Sequence, residues 1–538
     1  MPVSSATAAS SSLFFFMYFL GILPESVAYL TLRHILPIET ATARAMLFMK
    51  NYKTLAHYFA SAQEPSMEKT LEKENIMGSM SEGKLLFKMA MPMIFSVLVS
   101  SFYNLVDSIF VGRLGNAALT AISLGAPASS LMVEFSFGLA IGVNALLSKK
   151  LGEKDKKGVQ KVVGQGFLLT ALLYLIFLLA GIFASEAFFR LQTSDKEIIA
   201  LGKEYTSIVM VFSFGLMLQS LTERLLSATG RTQYSMAVLL TGAITNTILD
   251  PILIFGWLGL PAMGIKGAAI ATVIGQVAAG STGLILNLTK NQDIKISVRS
   301  FLPDFAIIKN IMAIAIPTTL TYSINSILIF GMNQVLISLS LAAPAVFIIY
   351  NRVRSFAALP VWGIRNTIIS IVAYNMGAKK YDRVRRVIKI AIVSSAVIML
   401  VGTALYELIP SALLSLFSAS GEMLSIGIDA FRIIGTSLII SGITIMASGV
   451  FQATGQSRLA LVMSIVQAVA LVGSAALLAQ TKSVTLVWVS FPISEAAIFA
   501  LSIIFLRGIW KRQLTSDIST GNPVAQIKHE EMANGTYA

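Results

Sequence analysis

The sequence predicts an all-α polytopic membrane protein whose twelve transmembrane helices form two parallel-repeat six-helix bundles. Of its 538 residues, 55% are hydrophobic and only 13% are charged. Apolar runs of about 20 residues, long enough to cross the hydrocarbon core of a bilayer, recur between Leu85 and Leu506. A second observation is that landmarks of the first half return in the second half at one fixed spacing, which indicates two copies of one bundle.

Twelve apolar segments are expected to span the membrane. Their approximate bounds are 85–111, 117–147, 162–184, 205–226, 234–256, 265–289, 307–334, 345–371, 387–409, 428–450, 459–480 and 486–507. We expect an N-terminal extension of doubtful origin (1–83), two lobes (84–295 and 309–512) and a polar tail (513–538). Within the extension, the apolar patch Leu13–Leu32 could be an extra membrane segment. The charged lead-in after Met67 nevertheless suggests that translation begins there, or at Met77 or Met80, so residues 1–66 are expected to be dispensable.

The internal repeat has an offset of 225 residues. It relates Pro92 to Pro317, Gly152 to Gly377, Gly202 to Gly427, and the Ala-Thr-Gly turn 228–230 to 453–455. With six helices in each copy, both copies enter the membrane from the same face and are parallel. A transporter of this kind binds its cargo between or within the two bundles.

The net charge of +14 comes largely from short loops between apolar runs. Loops 148–161 and 374–389 each carry six Lys or Arg, whereas the connection 335–346 carries no charge. The positive-inside bias explains this pattern without nucleic acid, and it places both ends of the core in the cytoplasm and the protein in the inner or plasma membrane. We expect a monomer surrounded by lipid.

Residue usage argues against a membrane-embedded enzyme. The chain has no cysteine, and its histidines, His34, His57 and His529, lie outside the apolar runs. Neither a thiolate or histidine metal site nor a histidine-based catalytic site is therefore expected within the membrane. We expect no enzymatic activity, no metal and no cofactor.

Asp250 is a costly residue for a membrane helix, because it lies inside an otherwise apolar run from about Tyr234 to Phe255. Such a carboxylate costs roughly 2.5–3.5 kcal/mol near the bilayer centre and usually marks an ion or substrate path. Asn246 precedes it by four residues and so shares its helix face. Pro251 has no N–H, so the Thr247 carbonyl lacks its helical donor and is free to accept a hydrogen bond or a cation. Pro251 is therefore also a predicted hinge of this helix. A kinked helix with a merely paired Asp is the alternative.

A second acid, Asp107, ends a polar stripe with Ser96, Ser100 and Asn104 on one face of the first apolar segment. Counted from the cytoplasmic side, Asp107 and Asp250 lie at compatible depths. If they meet, repulsion between two buried carboxylates favours a site that carries a proton. Two unrelated polar spots are the alternative.

The acids are expected only in the first half. The 225-residue offset takes Asp107, Glu134 and Asp250 to apolar positions, Met332, Leu359 and Ala475. This asymmetry favours one cation site in one lobe.

Several polar, aromatic and methionine residues of the first lobe could line a cavity for cations, although ordinary packing accounts for them equally. They are Glu134, Asn104, Tyr103, Met132 and Phe135. For Arg352, Arg354 and Arg365 we expect snorkelling or internal pairing.

The chain from about 84 to 512 resembles the multidrug and toxic compound extrusion family. The resemblance lies in Pro92, the run Tyr103–Gly115, Ala228-Thr229-Gly230, Asn246–Pro251, Gly267–Thr272 and Tyr374–Lys379. It implies two lobes in a V, alternating access, and export of organic cations and drugs driven by H+ or Na+. It further implies that Asp107, Asn246, Asp250 and Thr272 handle the coupling ion and that Pro92 is a hinge. A lipid-linked precursor flippase of the same superfamily is the closest alternative.

Overall fold

A computed structural model describes residues 75–295, 298–417 and 419–513. The apolar patch Leu13–Leu32, the segment 1–66 that we expect to be dispensable, and almost all of the polar tail lie outside the described residues. Within the described part of the chain, all regular secondary structure is helical.

The first lobe contains seven helices of 15 residues or more, because one of its six expected spans is broken into two. Their bounds are α1 Glu82–Gly112, α2 Asn116–Gly152, α3 Lys156–Phe183, α4 Lys196–Val211, α5 Phe214–Ala228, α6 Thr232–Phe255 and α7 Gly264–Thr289.

The second lobe repeats this order helix for helix. Its members are α8 Phe305–Ile337, α9 Ala343–Gly377, α10 Tyr381–Leu408, α11 Gly421–Gly435, α12 Leu438–Ala453, α13 Ser457–Ala479 and α14 Ser490–Gln513. In the described part of the chain, ten helices are long and apolar enough to cross a membrane alone, and two bent pairs raise the number of spans to as many as twelve. The predicted fold class is therefore confirmed.

The two bent pairs occupy equivalent places in the repeat. Helix α4 meets α5 at 44°, and α11 meets α12 at 54°. Serines lie at both breaks: Ser213 precedes α5, and Ser437 precedes α12 and donates its hydroxyl to the Ile434 carbonyl at 2.8 Å. At the second break this hydroxyl competes with the backbone for a carbonyl, and sharp bends often occur at such residues. The buried Ser213 hydroxyl at the first break has no hydrogen-bond partner among the described residues. The sequence pattern placed one span at each position and did not indicate these bends.

The first helix of each lobe packs into the core of the other lobe. Leu86 and Ala90 of α1 belong to the apolar core of the second lobe, while Ile311 and Ala315 of α8 belong to that of the first lobe. These residues are related by the same 225-residue offset. The two lobes are thus held together at the end where these helices begin, which is also the end that carries the basic loops.

Four glycines bring the lobes into close contact. A Cβ on Gly152 would overlap the Tyr374 carbonyl, and one on Gly377 would overlap the Lys149 carbonyl. Closer to the membrane centre, Gly138 of α2 packs against Thr319 of the second lobe, and Gly363 of α9 packs against Ile94 of the first. Each pair obeys the repeat offset, and the two levels lie 14 residues apart, about 21 Å along a helix. Only glycine permits these backbone approaches.

The basic turns also repeat in backbone conformation. Lys154 and Lys379, related by the offset, both have φ of 56°. After the first turn, Asp155 caps α3 by accepting a hydrogen bond from the Gly158 amide at 2.8 Å. That backbone hydrogen bond and the neighbouring Lys150 lower the pKa of the Asp155 carboxyl below its usual value.

A short segment upstream of α1 connects the two lobes. Asn75 donates to the Thr229 carbonyl of the first lobe at 3.0 Å, and Asn375 of the second lobe donates to the Met77 carbonyl at 2.9 Å. Lys380 donates to the Gly78 carbonyl at 3.0 Å, and the Met77 side chain is fully buried. The packed part of the described chain therefore includes residues upstream of Lys84.

Removal of this connecting segment is expected to destabilise the protein. A chain starting at Met80 loses the buried Met77 side chain, worth roughly 1.5–3 kcal/mol, together with the hydrogen bonds to both lobes. A chain starting at Met67 retains all of them. Melting temperatures of the two purified proteins test this: the Met80 form should melt at a clearly lower temperature, and equal melting temperatures would contradict the prediction.

Candidate functional site

Asn246 and Asp250 lie on the same face of α6, as their spacing predicts. The Asn246 amide donates to Asp250 Oδ1 at 3.1 Å, and both side chains are buried. This contact follows from their spacing of four residues within one helix. Helix α6 continues past Pro251 to Phe255, so the proline lies inside the helix one residue beyond the acid.

Asp107 of α1 lies opposite Asp250. The two carboxyl groups interact directly, although their residues are 143 positions apart in the chain. Asp107 is half-buried, whereas Asp250 is fully buried. The two carboxyl groups therefore belong to one polar cluster, as the first of the two alternatives expected.

Thr272 reaches this site because α7 approaches α6 closely. A Cβ on Gly275 would lie 2.9 Å from the Gly242 carbonyl and 3.0 Å from Asn246 Cβ, so glycine is required at this crossing. The Asn246 amide then lies 3.5 Å from the Thr272 hydroxyl. The four residues to which the resemblance assigned the coupling ion, Asp107, Asn246, Asp250 and Thr272, are thus brought together.

Three oxygen atoms at the site lack a hydrogen-bond partner among the described residues. They are Asp107 Oδ1, Asn246 Oδ1 and Asp250 Oδ2, and each is buried. Buried polar atoms are costly unless they are satisfied. Two ionised carboxylates in contact also repel each other. A shared proton, or a small cation that accepts oxygen ligands, would remove both costs.

Two tyrosines complete the site, and one of them was not predicted. Tyr103 of α1 was a predicted cavity residue, and it lies within electrostatic reach of Asp107 and Asp250. Tyr205 of α4 lies near the same two acids and faces Thr272. Its sequence neighbours Lys203 and Glu204 give α4 an ordinary amphipathic appearance, so no sequence signal distinguishes Tyr205.

The other predicted residues lie apart from the acid pair. Asn104 is exposed and donates to the Ser100 carbonyl of its own helix at 2.8 Å. Met132 is buried, and Phe135 is 41% exposed. Pro92 is buried within α1, where its carbonyl accepts from Ser96 at 2.8 Å.

Glu134 occupies a different position, at the junction of the lobes. Ser323 of α8 donates to its carboxylate at 2.7 Å, and Thr319 of the same helix donates to its backbone carbonyl at 3.4 Å.

The expectation that acids are confined to the first half is wrong. Glu495 of α14 is a buried carboxylate in the second lobe, 4.0 Å from the Arg354 guanidinium of α9. Gln467 and Thr444 contact its oxygens at 3.3 and 3.5 Å. Glu495 has no acidic counterpart in the first lobe, because the offset leads to Ile270. The sequence did indicate this residue, because Glu495 lies inside the apolar run 486–507. It was missed because only the acids of the first half were compared with their repeat positions.

The internal pairing expected for the helix α9 arginines is found for Arg354 and Arg365. Arg354 contacts Glu495, as described above. Arg365 is buried, donates to the Tyr322 hydroxyl at 3.0 Å and to Gln452 Oε1 at 2.9 Å, and lies 5.0 Å from the Trp362 ring centre. Both arginines therefore serve the packing of the second lobe, while Arg352 is exposed.

Comparison with known proteins places the chain in a family. The MatE family model matches residues 92–252 and 317–477, one match in each lobe. The chain is 27% identical over 440 residues to the multidrug export protein MepA of Staphylococcus haemolyticus, covering 81% of this chain and 95% of that protein. It is 28% identical over 444 residues to MepA of Staphylococcus aureus, covering 81% and 96%.

A solved structure supports the fold. An outward-facing multidrug resistance MATE family transporter of the MOP superfamily matches with a TM-score of 0.77 and 24% identity, covering 83% of this chain and 100% of that one.

Two repeated helical lobes, with a buried polar site inside one of them, define a multi-pass membrane protein of the transporter type. The match of the family model to both lobes identifies the family: the chain belongs to the MatE family.

Proposed function

We propose that this protein exports organic cations and drugs across the plasma membrane in exchange for H+ or Na+. The single observation that carries this proposal is the meeting of Asp107 and Asp250, with Asn246 and Thr272, inside the first lobe. The name of the MepA relatives, multidrug export protein, supports drugs as the cargo. A drug and an ion whose bindings weaken each other exchange across the membrane, because binding of one favours release of the other.

The packing of the lobes supports alternating access. They are in contact through the glycine pairs at the end with the basic loops, and the positive-inside bias assigns that end to the cytoplasm. This arrangement corresponds to an outward-facing state, the state named for the similar MATE structure. A return to the inward-facing state requires the Gly152 and Gly377 contacts to separate. Pro92 and Pro251 interrupt the hydrogen-bond ladders of α1 and α6 and are the proposed bending points.

Transport into vesicles tests the function. Purified protein in liposomes should accumulate a fluorescent organic cation such as ethidium when a pH or sodium gradient is imposed, and the gradient that drives accumulation identifies the ion. Protein-free liposomes are the control. Failure of both gradients to drive movement of ethidium or of chemically different drugs would contradict the proposal.

The proposed topology makes a separate prediction. Because the chain lacks cysteine, one introduced cysteine reports without background. In intact cells a membrane-impermeant maleimide should label Leu341→Cys, which lies at an 87% exposed position between α8 and α9. Lys157→Cys, at the start of α3, should be labelled only after permeabilisation. The reverse pattern would show that the basic loops face outward.

A further inference from the structure

Glu134 lies where the two lobes part. Along α2 from the basic end, Gly152 and then Gly138 pack against the second lobe, and Glu134 follows one turn later. There the Ser323 hydroxyl of α8 donates to the Glu134 carboxylate at 2.7 Å. One turn further on, Leu131 of α2 is 45% exposed and Ile327 of α8 is 66% exposed. Leu131 shares the helix face of Glu134, and Ile327 shares that of Ser323, so the two faces that meet at Glu134 no longer cover each other there. The Glu134 carboxylate therefore lies at the base of an opening between the lobes.

The charge of Glu134 has no cationic partner. Among the described residues, no Lys, Arg or His lies within ion-pairing distance of it, whereas Glu495 pairs with Arg354 and Glu223 with Arg224. The buried Arg365 is held instead by Tyr322, the residue next to Ser323, and by Gln452. An unpaired carboxylate at membrane depth is costly, and such residues usually face a wet cavity and mark a substrate path.

We propose that Glu134 binds the positively charged group of the exported molecule. This inference rests on the proposed export function and adds a substrate-binding residue distinct from the Asp107 and Asp250 site. The repeat places Leu359 at the equivalent position of the second lobe, so this level of the opening carries one negative charge and not two. A single carboxylate in an apolar surround matches one positive charge on an apolar ligand.

The Ser323 contact gives this binding a structural consequence. Ser323 belongs to the second lobe and Glu134 to the first, so their hydrogen bond joins the lobes at the base of the opening. A cation that takes up the carboxylate competes with the Ser323 hydroxyl for its oxygens. Binding of the exported molecule therefore weakens the Ser323–Glu134 contact between the lobes, and this favours the movement of one lobe relative to the other.

Direct binding to purified protein tests the proposal. Ethidium affinity should be measured by fluorescence anisotropy for the wild type, Glu134→Gln, Glu134→Asp and Glu197→Gln. Glu197 is exposed at the start of α4, so its change controls for the loss of one negative charge at a remote site. Glu134→Gln should weaken binding by about tenfold or more, a factor that corresponds to 1.4 kcal/mol. Glu134→Asp should bind far more tightly than Glu134→Gln, and Glu197→Gln should match the wild type.

The outcomes separate the inference from the function on which it rests. Equal affinity of wild type and a folded Glu134→Gln protein would overturn the role of Glu134 and leave drug export standing. A wild-type protein that neither binds nor transports ethidium or other organic cations would contradict the proposed function itself. Gel filtration and melting temperature establish folding. Should Glu134→Gln aggregate, Glu134→Ala removes the same charge, and wild-type affinity in that variant would equally overturn the inference.

Discussion

Asp250→Asn is expected to abolish coupled transport while leaving a folded protein in the membrane. Asparagine keeps the size of the side chain and can still contact Asn246, but it cannot take up a proton or supply a negative charge to a cation. The mutual influence of drug and ion, typically 5- to 150-fold in affinity, should therefore fall to nearly none. Asp107→Asn should behave in the same way, because the two carboxyl groups form one site.

Gradient-driven uptake in liposomes and the amount of protein in the membrane should be measured together. Asp382→Asn is the matched control, since that acid is exposed at the start of α10 with a side chain 81% accessible to solvent. If the acid pair were only structural, each variant would instead misfold or insert poorly, because removing one member of a buried polar contact destabilises strongly. Normal coupled transport by Asp250→Asn would refute its proposed role.

Gly152→Leu and Gly377→Leu are expected to stop transport by preventing the lobes from closing at the basic end. Each new side chain would overlap a backbone carbonyl of the other lobe. Overpacking of this kind costs roughly 1–3 kcal/mol, which shifts the equilibrium between the two lobe arrangements by about 5- to 150-fold toward the separated one. The protein should therefore accumulate in the inward-facing state and export no drug.

A cysteine at Ser370 reports this change. Ser370 is fully buried between the lobes, where it donates to Asn144 Oδ1 at 2.9 Å. The cysteine of the double variant Gly152→Leu/Ser370→Cys should react with a maleimide about tenfold faster than the cysteine of the single variant Ser370→Cys. Gly473→Leu is the control, because a Cβ there meets no atom within 4 Å. Unchanged protection of Ser370→Cys together with normal transport would contradict the model of closure.

The fold could be predicted because the sequence repeats. A 225-residue offset fixed two equivalent lobes, and the length of the apolar runs fixed the number of spans. The offset also explains features that were found only in the structure, such as the matching φ of Lys154 and Lys379. The bends before α5 and α12 could not be predicted, because they depend on tertiary packing around residues that helices also tolerate.

The candidate site could be predicted only in part. Asn246 and Asp250 share a helix face by spacing alone, and the meeting with Asp107 followed from depth in the membrane. Tyr205 was missed because its side chain reaches the site from another helix, α4, and nothing in its local pattern differs from an amphipathic surface helix. Glu495 was missed for a different reason. The cost of a carboxylate in an apolar run applies to it as fully as to Asp250, but only the acids of the first half were compared with their repeat positions. Its pairing with Arg354, 141 residues away in the chain, could not be predicted from spacing.

Ion release on drug binding tests the central claim most directly. When ethidium is added to purified protein in weakly buffered solution, the claim predicts that the wild type releases protons, or sodium if the protein was loaded with it. A folded Asp250→Asn protein should release fewer ions at the same drug occupancy, because one of the two carboxylates that hold the ion is gone. Equal ion release from the two folded proteins would contradict the assignment of the coupling ion to Asp250.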